Sequence, residues 1–147
     1  MSGEKRKYDE RQALSRARAG QMAFWMLAAM VSAGCLLREI LGRPWATPLA
    51  EEAILIFPPL TVWRVRCIWT DSDDTLNERQ RHSWKWYLAG TIMCTLLGIG
   101  NIDRSGVLED GMLSYGWVWV PLALGYLALV IAMLLRRRKD RREEAEE

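Results

Sequence analysis

Long apolar stretches alternate with charged connections along this chain, and its lysines and arginines collect on every second connection. All but Arg38, Arg43 and Arg104 of the 20 basic residues lie before Gln21, between Trp63 and Trp86, or after Leu135. The apolar stretches run Met22 to Leu41, Ala53 to Trp63, Trp86 to Ile102 and Leu113 to Leu135. Basic residues are retained on the cytoplasmic side of a membrane, so the alternation predicts four spans with both termini inside. The expected fold is an all-α integral-membrane four-helix bundle with spans near 22–41, 50–69, 86–102 and 113–135. These lie in a transmembrane domain of 21–137, between a basic N-terminal juxtamembrane segment at 1–20 and a charged tail at 138–147.

Whole-chain averages hide this organisation. A mean hydropathy of -0.08 and a net charge of +2 would suit a soluble domain, but both are sums over greasy segments and charged ends. Cationic ends of this kind rest on anionic lipid headgroups, each charge contributing about 1 kcal/mol near the surface. Nucleic acid is not an expected partner, because no reading module and no interleaving of aromatic with basic residues accompanies the charge.

The second stretch is the weakest. Its uncharged core contains Pro58-Pro59, and extending it to membrane length recruits Glu51 and Glu52 at one end and Arg64 and Arg66 at the other. The prolines remove two amide donors, so the segment is expected to kink or break. In the third stretch Gly90, Cys94 and Gly98 recur every four residues, a small-residue face that lets a neighbouring backbone approach closely. Ala29 and Ala33, beside Ala28 and Ser32, offer a similar surface on the first. Such faces most simply hold a bundle together, with a homo-oligomer contact as the alternative. The eight tryptophans cluster near stretch ends, where interfacial anchoring accounts for them.

Two polar motifs echo each other. Asp9-Glu10-Arg11-Gln12 precedes the first stretch and Asn77-Glu78-Arg79-Gln80 precedes the third, both on the expected cytoplasmic side. Each suits the start of a juxtamembrane helix, with Asp9 or Asn77 as cap. The echo suggests two repeated helical hairpins of one orientation. It also marks Glu10, Arg11, Glu78 and Arg79 as a candidate docking surface for a cytoplasmic protein.

With Tyr8-Asp9-Glu10-Arg11-Gln12, Ala23-Phe24, and Pro48-Leu49-Ala50-Glu51-Glu52 leading on to Arg64, Arg66 and Asp71, the chain resembles an uncharacterised family of small bacterial, largely Gram-positive, integral membrane proteins. The resemblance covers roughly the first half of the chain. It implies a four-helix plasma-membrane protein and no activity that could be carried over. Small membrane proteins of this kind often lie beside helix-turn-helix regulators, which would suit a regulatory partner.

No catalytic constellation is legible. His82 is the only histidine and sits in a charged loop, and Cys35, Cys67 and Cys94 are too widely spaced for a zinc site or a disulfide framework. Asp71, Asp73 and Asp74 lack the glycine and closing glutamate of a calcium loop. No cofactor or metal is expected. The resulting expectation is a non-enzymatic plasma-membrane protein that docks a cytoplasmic partner. The alternative is a small oligomeric proton- or ion-coupled transporter with Glu51 and Glu52 on the ion path, since carboxylates near hydrocarbon often mark one.

Overall fold

The computed structural model describes the backbone of residues 2–70 and 83–146, and their side chains except at 2–9, 11, 12, 83, 140 and 143–146. It is almost entirely helical: α1 (Ser2–Leu41), α2 (Pro48–Trp69), α3 (Ser83–Ser105) and α4 (Trp119–Glu146). A single 3₁₀ turn, Tyr115–Val118, leads into α4. The strands β1 (Leu108–Glu109) and β2 (Met112–Leu113) form a small antiparallel hairpin between α3 and α4.

Helix α1 runs unbroken through the charged N-terminal segment and the first apolar stretch. Its 40 residues span about 60 Å, roughly twice the thickness of a hydrocarbon core. Helix α2 is continuous too. Pro48 occupies its first turn, where the missing amide costs nothing. Pro58 and Pro59 lie inside it, and every described peptide bond is trans. Of the two expectations, a kink or a break, the break is absent: α2 continues as helix through both prolines.

Substantial packing joins α1 to α2, α2 to α4, and α4 to α3. The helices thus form a row, α1-α2-α4-α3, rather than the closed ring that a four-helix bundle suggests. Its centre is the α2–α4 pair, which runs parallel. Near the starts of both helices Ala46, Ala50, Ala53 and Val118 form one buried cluster, and Ile68 near the end of α2 packs with Leu129 and Ala132 in the middle of α4. Flanking these, α1 lies antiparallel to α2 and α3 antiparallel to α4, giving two hairpins side by side. The end that carries the loops 42–47 and 106–114 is called the cap end below, and the opposite one the basic end.

Hydropathy places the fourth apolar stretch from Leu113, but Leu113 belongs to β2 and the α-helix begins only at Trp119. Asp110 and Gly111 explain the difference. Both have positive φ, 52° and 75°, the signature of a tight two-residue hairpin turn that Asp-Gly favours. The hairpin then pairs with the other loop. The Thr47 amide donates to the Leu113 carbonyl at 3.0 Å, and the Leu113 amide donates to the Trp45 carbonyl at 2.9 Å. Ser114, fully buried, donates its hydroxyl to the Gly106 carbonyl at 2.7 Å. Arg43 lies across the turn, with its guanidinium where a side chain at Gly111 would have to sit.

Little of the apolar surface is inside. Two helical stretches, Ala13–Leu41 and Tyr115–Lys139, are long and apolar enough to cross a membrane, and only 6% and 28% of their apolar windows are buried. A helix that is apolar all round yet uncovered by its own chain is at home in lipid. Helices α2 and α3 are less apolar, but α3 also turns Trp86, Ile92, Met93, Leu96 and Ile99 outward.

Candidate functional site

The carboxylates Glu51 and Glu52 sit in the first turn and a half of α2, at the cap end. Glu51 turns toward α1, where Arg38 donates to its carboxylate at 2.6 Å. The glutamate side chain keeps 12% exposure and the arginine 55%. Gly34 makes the approach feasible, since a Cβ there would already touch Leu55 at 3.4 Å. Glu52 is one residue on and exposed. The two therefore do not form a paired site. One is engaged in a helix–helix contact and the other faces outward.

The face of Gly90, Cys94 and Gly98 lies against α4. A Cβ at Gly90 would rest on the Tyr126 ring at 3.4 Å, and one at Gly98 would press on the Trp119 Cβ at 3.2 Å. Cys94 between them is buried. On α1 the packed small residues are Ala19 and Gly34. Ala29, Ser32 and Ala33 are exposed, so the small-residue surface expected there does not carry the intramolecular contact. The helical phase set by Ala19, Ala23, Leu27 and Gly34 faces α2 instead.

Glu10 is exposed on α1, well beyond the apolar stretch. The side chain of Arg11, and Glu78 and Arg79 altogether, lie outside the described residues. The basic end is nonetheless well defined through α2 and α4. Arg136 donates to the Ile68 carbonyl in the last turn of α2, where the unsatisfied carbonyls of a helix end attract a cation. Arg66 lies against Met22 of α1.

The tryptophans divide by end. Trp25, Trp69 and Trp86 are exposed, as interfacial anchors would be. At the cap end Trp45 and Trp117 pack on the Ala46–Ala50–Val118 cluster, and the Trp117 indole donates to the Val107 carbonyl at 3.0 Å. The Nε1 atoms of Trp45 and Trp119 are buried without a hydrogen-bond partner. Trp45 and Trp117 thus also serve as packing for the cap, and all three rings are half-buried.

A last polar pattern concerns the hydroxyls and amides along the helices. Thr61, Thr91, Thr95 and Ser105 each donate to the carbonyl four residues back, at 2.8–2.9 Å, and the Asn101 amide does the same to Leu97 at 2.8 Å. Such bonds satisfy a polar side chain without water. The Thr61 hydroxyl sits where a Cβ on Gly125 of α4 would have to be, 2.6 Å away, so this glycine sets the close approach of α2 and α4.

Two apolar grooves open beside α2. One, of about 210 Å³, runs between α2 and α4. The other, of about 350 Å³, runs between α1 and α2. Among the described residues no group of three or more histidine, cysteine, aspartate or glutamate side chains could hold a metal ion. In comparisons with known proteins, no family model, no curated protein and no solved structure matches the chain.

Sequence reading missed the Arg136 clamp, the cap and the grooves. Only the cap had a local signal: Asp110-Gly111 between Val107-Leu108 and Met112-Leu113 is a hairpin pattern.

Proposed function

We propose that the chain is a four-span plasma-membrane protein with both termini cytoplasmic, which acts without enzymatic chemistry as a docking component for a cytoplasmic protein. The observation that carries this reading is the separation of its surfaces. Apolar side chains of α1, α3 and α4 face outward along their lengths, while α1 and α4 continue as charged helices beyond the basic end. Helix α1 extends about 30 Å past Met22, with Glu10 exposed upon it. A rigid extension of that length would hold a partner clear of the headgroups.

The paired hairpins support a repeat in which α1–α2 and α3–α4 are related by a pseudo-twofold axis along the membrane normal. The parallel bridge between Ala46 and Leu113 joins the two connections that lead into α2 and α4. Such a repeat would bring the two polar motifs to the same side. The resemblance to small bacterial four-span proteins fits this arrangement.

Single cysteines at Ser72, Ser105 and Glu147, in a chain lacking the native three, test the topology by labelling in intact cells. Labelling at Ser105 alone is expected, and labelling at Ser72 would refute four spans. Charge reversal of Arg11 and Arg79 together should then abolish co-purification of a cytoplasmic partner at unchanged expression. Retention of the partner by that variant would refute the docking surface.

A further inference from the structure

We propose that α2 and its two flanking grooves form a seat for one two-chain anionic phospholipid of the cytoplasmic leaflet, with its phosphate on Arg64. The proposal rests on the membrane reading above. The two grooves share one wall, Leu60, which is half exposed and stands between them as a ridge. At the basic end, the α2 residue lining the α2–α4 groove is Arg64, and the one lining the α1–α2 groove is Trp63. Two apolar channels divided by Leu60, one reaching a cation and the other the neighbouring indole, suit a glycerophospholipid: two acyl chains, an ester region and a phosphate.

Depth agrees with this assignment. Along α2 the lining runs from Ile56 to Arg64, about 12 Å of helix, against about 15 Å for half of a hydrocarbon core. The lining is thus no longer than one leaflet is deep, and its cation lies toward the basic side, where the cytoplasmic leaflet presents anionic lipids. Apart from Tyr126 of α4 the groove walls are otherwise apolar: Thr61, the other polar side chain of α2 among them, spends its hydroxyl on the Phe57 carbonyl. Arg64 is partly buried and already interacts within the protein. A guanidinium carries five N–H donors and its planar fork suits a phosphate, so Arg64 would engage the lipid alongside its contacts within the protein. Arg66 is exposed and lies on Met22, lining neither groove, so it serves as an internal control.

The full chain, incorporated into nanodiscs, is to be analysed by native mass spectrometry with phosphatidylglycerol and phosphatidylcholine of identical acyl chains. One phosphatidylglycerol should be retained with about tenfold preference, the worth of one charge-assisted contact. Arg64→Gln should erase the preference and Arg66→Gln should keep it. Gly20 lines the α1–α2 groove with open space about it, so Gly20→Leu fills that groove without disturbing the fold. It should weaken retention of phosphatidylglycerol while leaving single-chain lysophosphatidylglycerol unaffected.

Equal preference in wild type and Arg64→Gln overturns the seat, as does equal loss in both arginine variants, which would mean only a diffuse basic surface. Undiminished phosphatidylglycerol binding by Gly20→Leu overturns the two-groove seating. A wild-type chain that stays soluble and does not enter the nanodisc refutes the membrane reading itself, a result distinct from entry without lipid preference.

Discussion

At the cap end the two helical hairpins are joined by main chain: the Thr47 amide donates to Leu113 and the Leu113 amide to Trp45, while within the second loop the Ser114 hydroxyl ties the base of the turn to Gly106. At the basic end the same two hairpins are tied by side chains, chiefly Arg136 on the Ile68 carbonyl. The difference follows from what each end must satisfy. Loops at the cap end expose their own amides and carbonyls, and folding them over one another pairs those groups while burying Ala46 and Ala50. At the basic end α2 terminates, and long cationic chains can reach its last carbonyls. A main-chain joint demands shape at every residue, whereas a side-chain joint demands one residue of the right charge.

That contrast breaks most sharply at Gly116. A Cβ there would come within 2.5 Å of the Ile102 side chain and 2.9 Å of its backbone nitrogen, and backbone cannot step aside. Gly116→Ala should destabilise the protein by about 3 kcal/mol, at the upper end of overpacking costs. Equilibrium unfolding in bicelles measures it. At the other end Gly20→Ala, which meets nothing within 4 Å, should be neutral or stabilise by up to roughly 1 kcal/mol through helix propensity. Similar losses in both variants would mean that the cap is not the more tightly specified end.

Next in size is Ser114→Ala. The hydroxyl is fully buried and donates to the Gly106 carbonyl, so its loss should cost about 1 to 2 kcal/mol, read in the same unfolding assay. Arg136→Ala should cost about 1 kcal/mol, one hydrogen bond to a helix end, and Arg136→Lys should recover most of it. Full rescue by lysine would sharpen the view that the basic end requires charge more than geometry.

The smallest effect is expected at Arg38 and Glu51. Their ion pair is short, but the arginine side chain is 55% exposed, so a double-mutant cycle should give a coupling below about 1 kcal/mol. A much larger coupling would make the α1–α2 contact a third strong joint and remove the distinction between the ends.

Legibility in the sequence followed the same divide. The basic residues before Gln21 and after Leu135 and the apolar lengths of α1 and α4 were plain, because charge and hydropathy are local. Helix α3 was readable through Gly90, Cys94 and Gly98, whose four-residue spacing is a property of one helix. The corresponding surface on α1 was misjudged: Ala29 and Ala33 have the right size but the wrong phase, and phase depends on where α2 lies. Pro58-Pro59 suggested a kink or a break, and α2 runs on as helix through them, since a helix can bend at a proline without ending there. That Trp45 and Trp117 pack on the cap cluster is not legible, because nothing in their own segments says that the two loops pair.

From the sequence alone came the helical class, the side of the chain that carries charge, and the absence of a legible catalytic cluster. These depend on residue type and on spacing within single segments. The order α1-α2-α4-α3, the pairing of Leu113 with Trp45 and Thr47, the engagement of Glu51 by Arg38, and the grooves on either side of Leu60 were decided only in three dimensions. Each depends on residues far apart in the chain meeting at distances that backbone geometry and steric fit select, and hydropathy has no term for either.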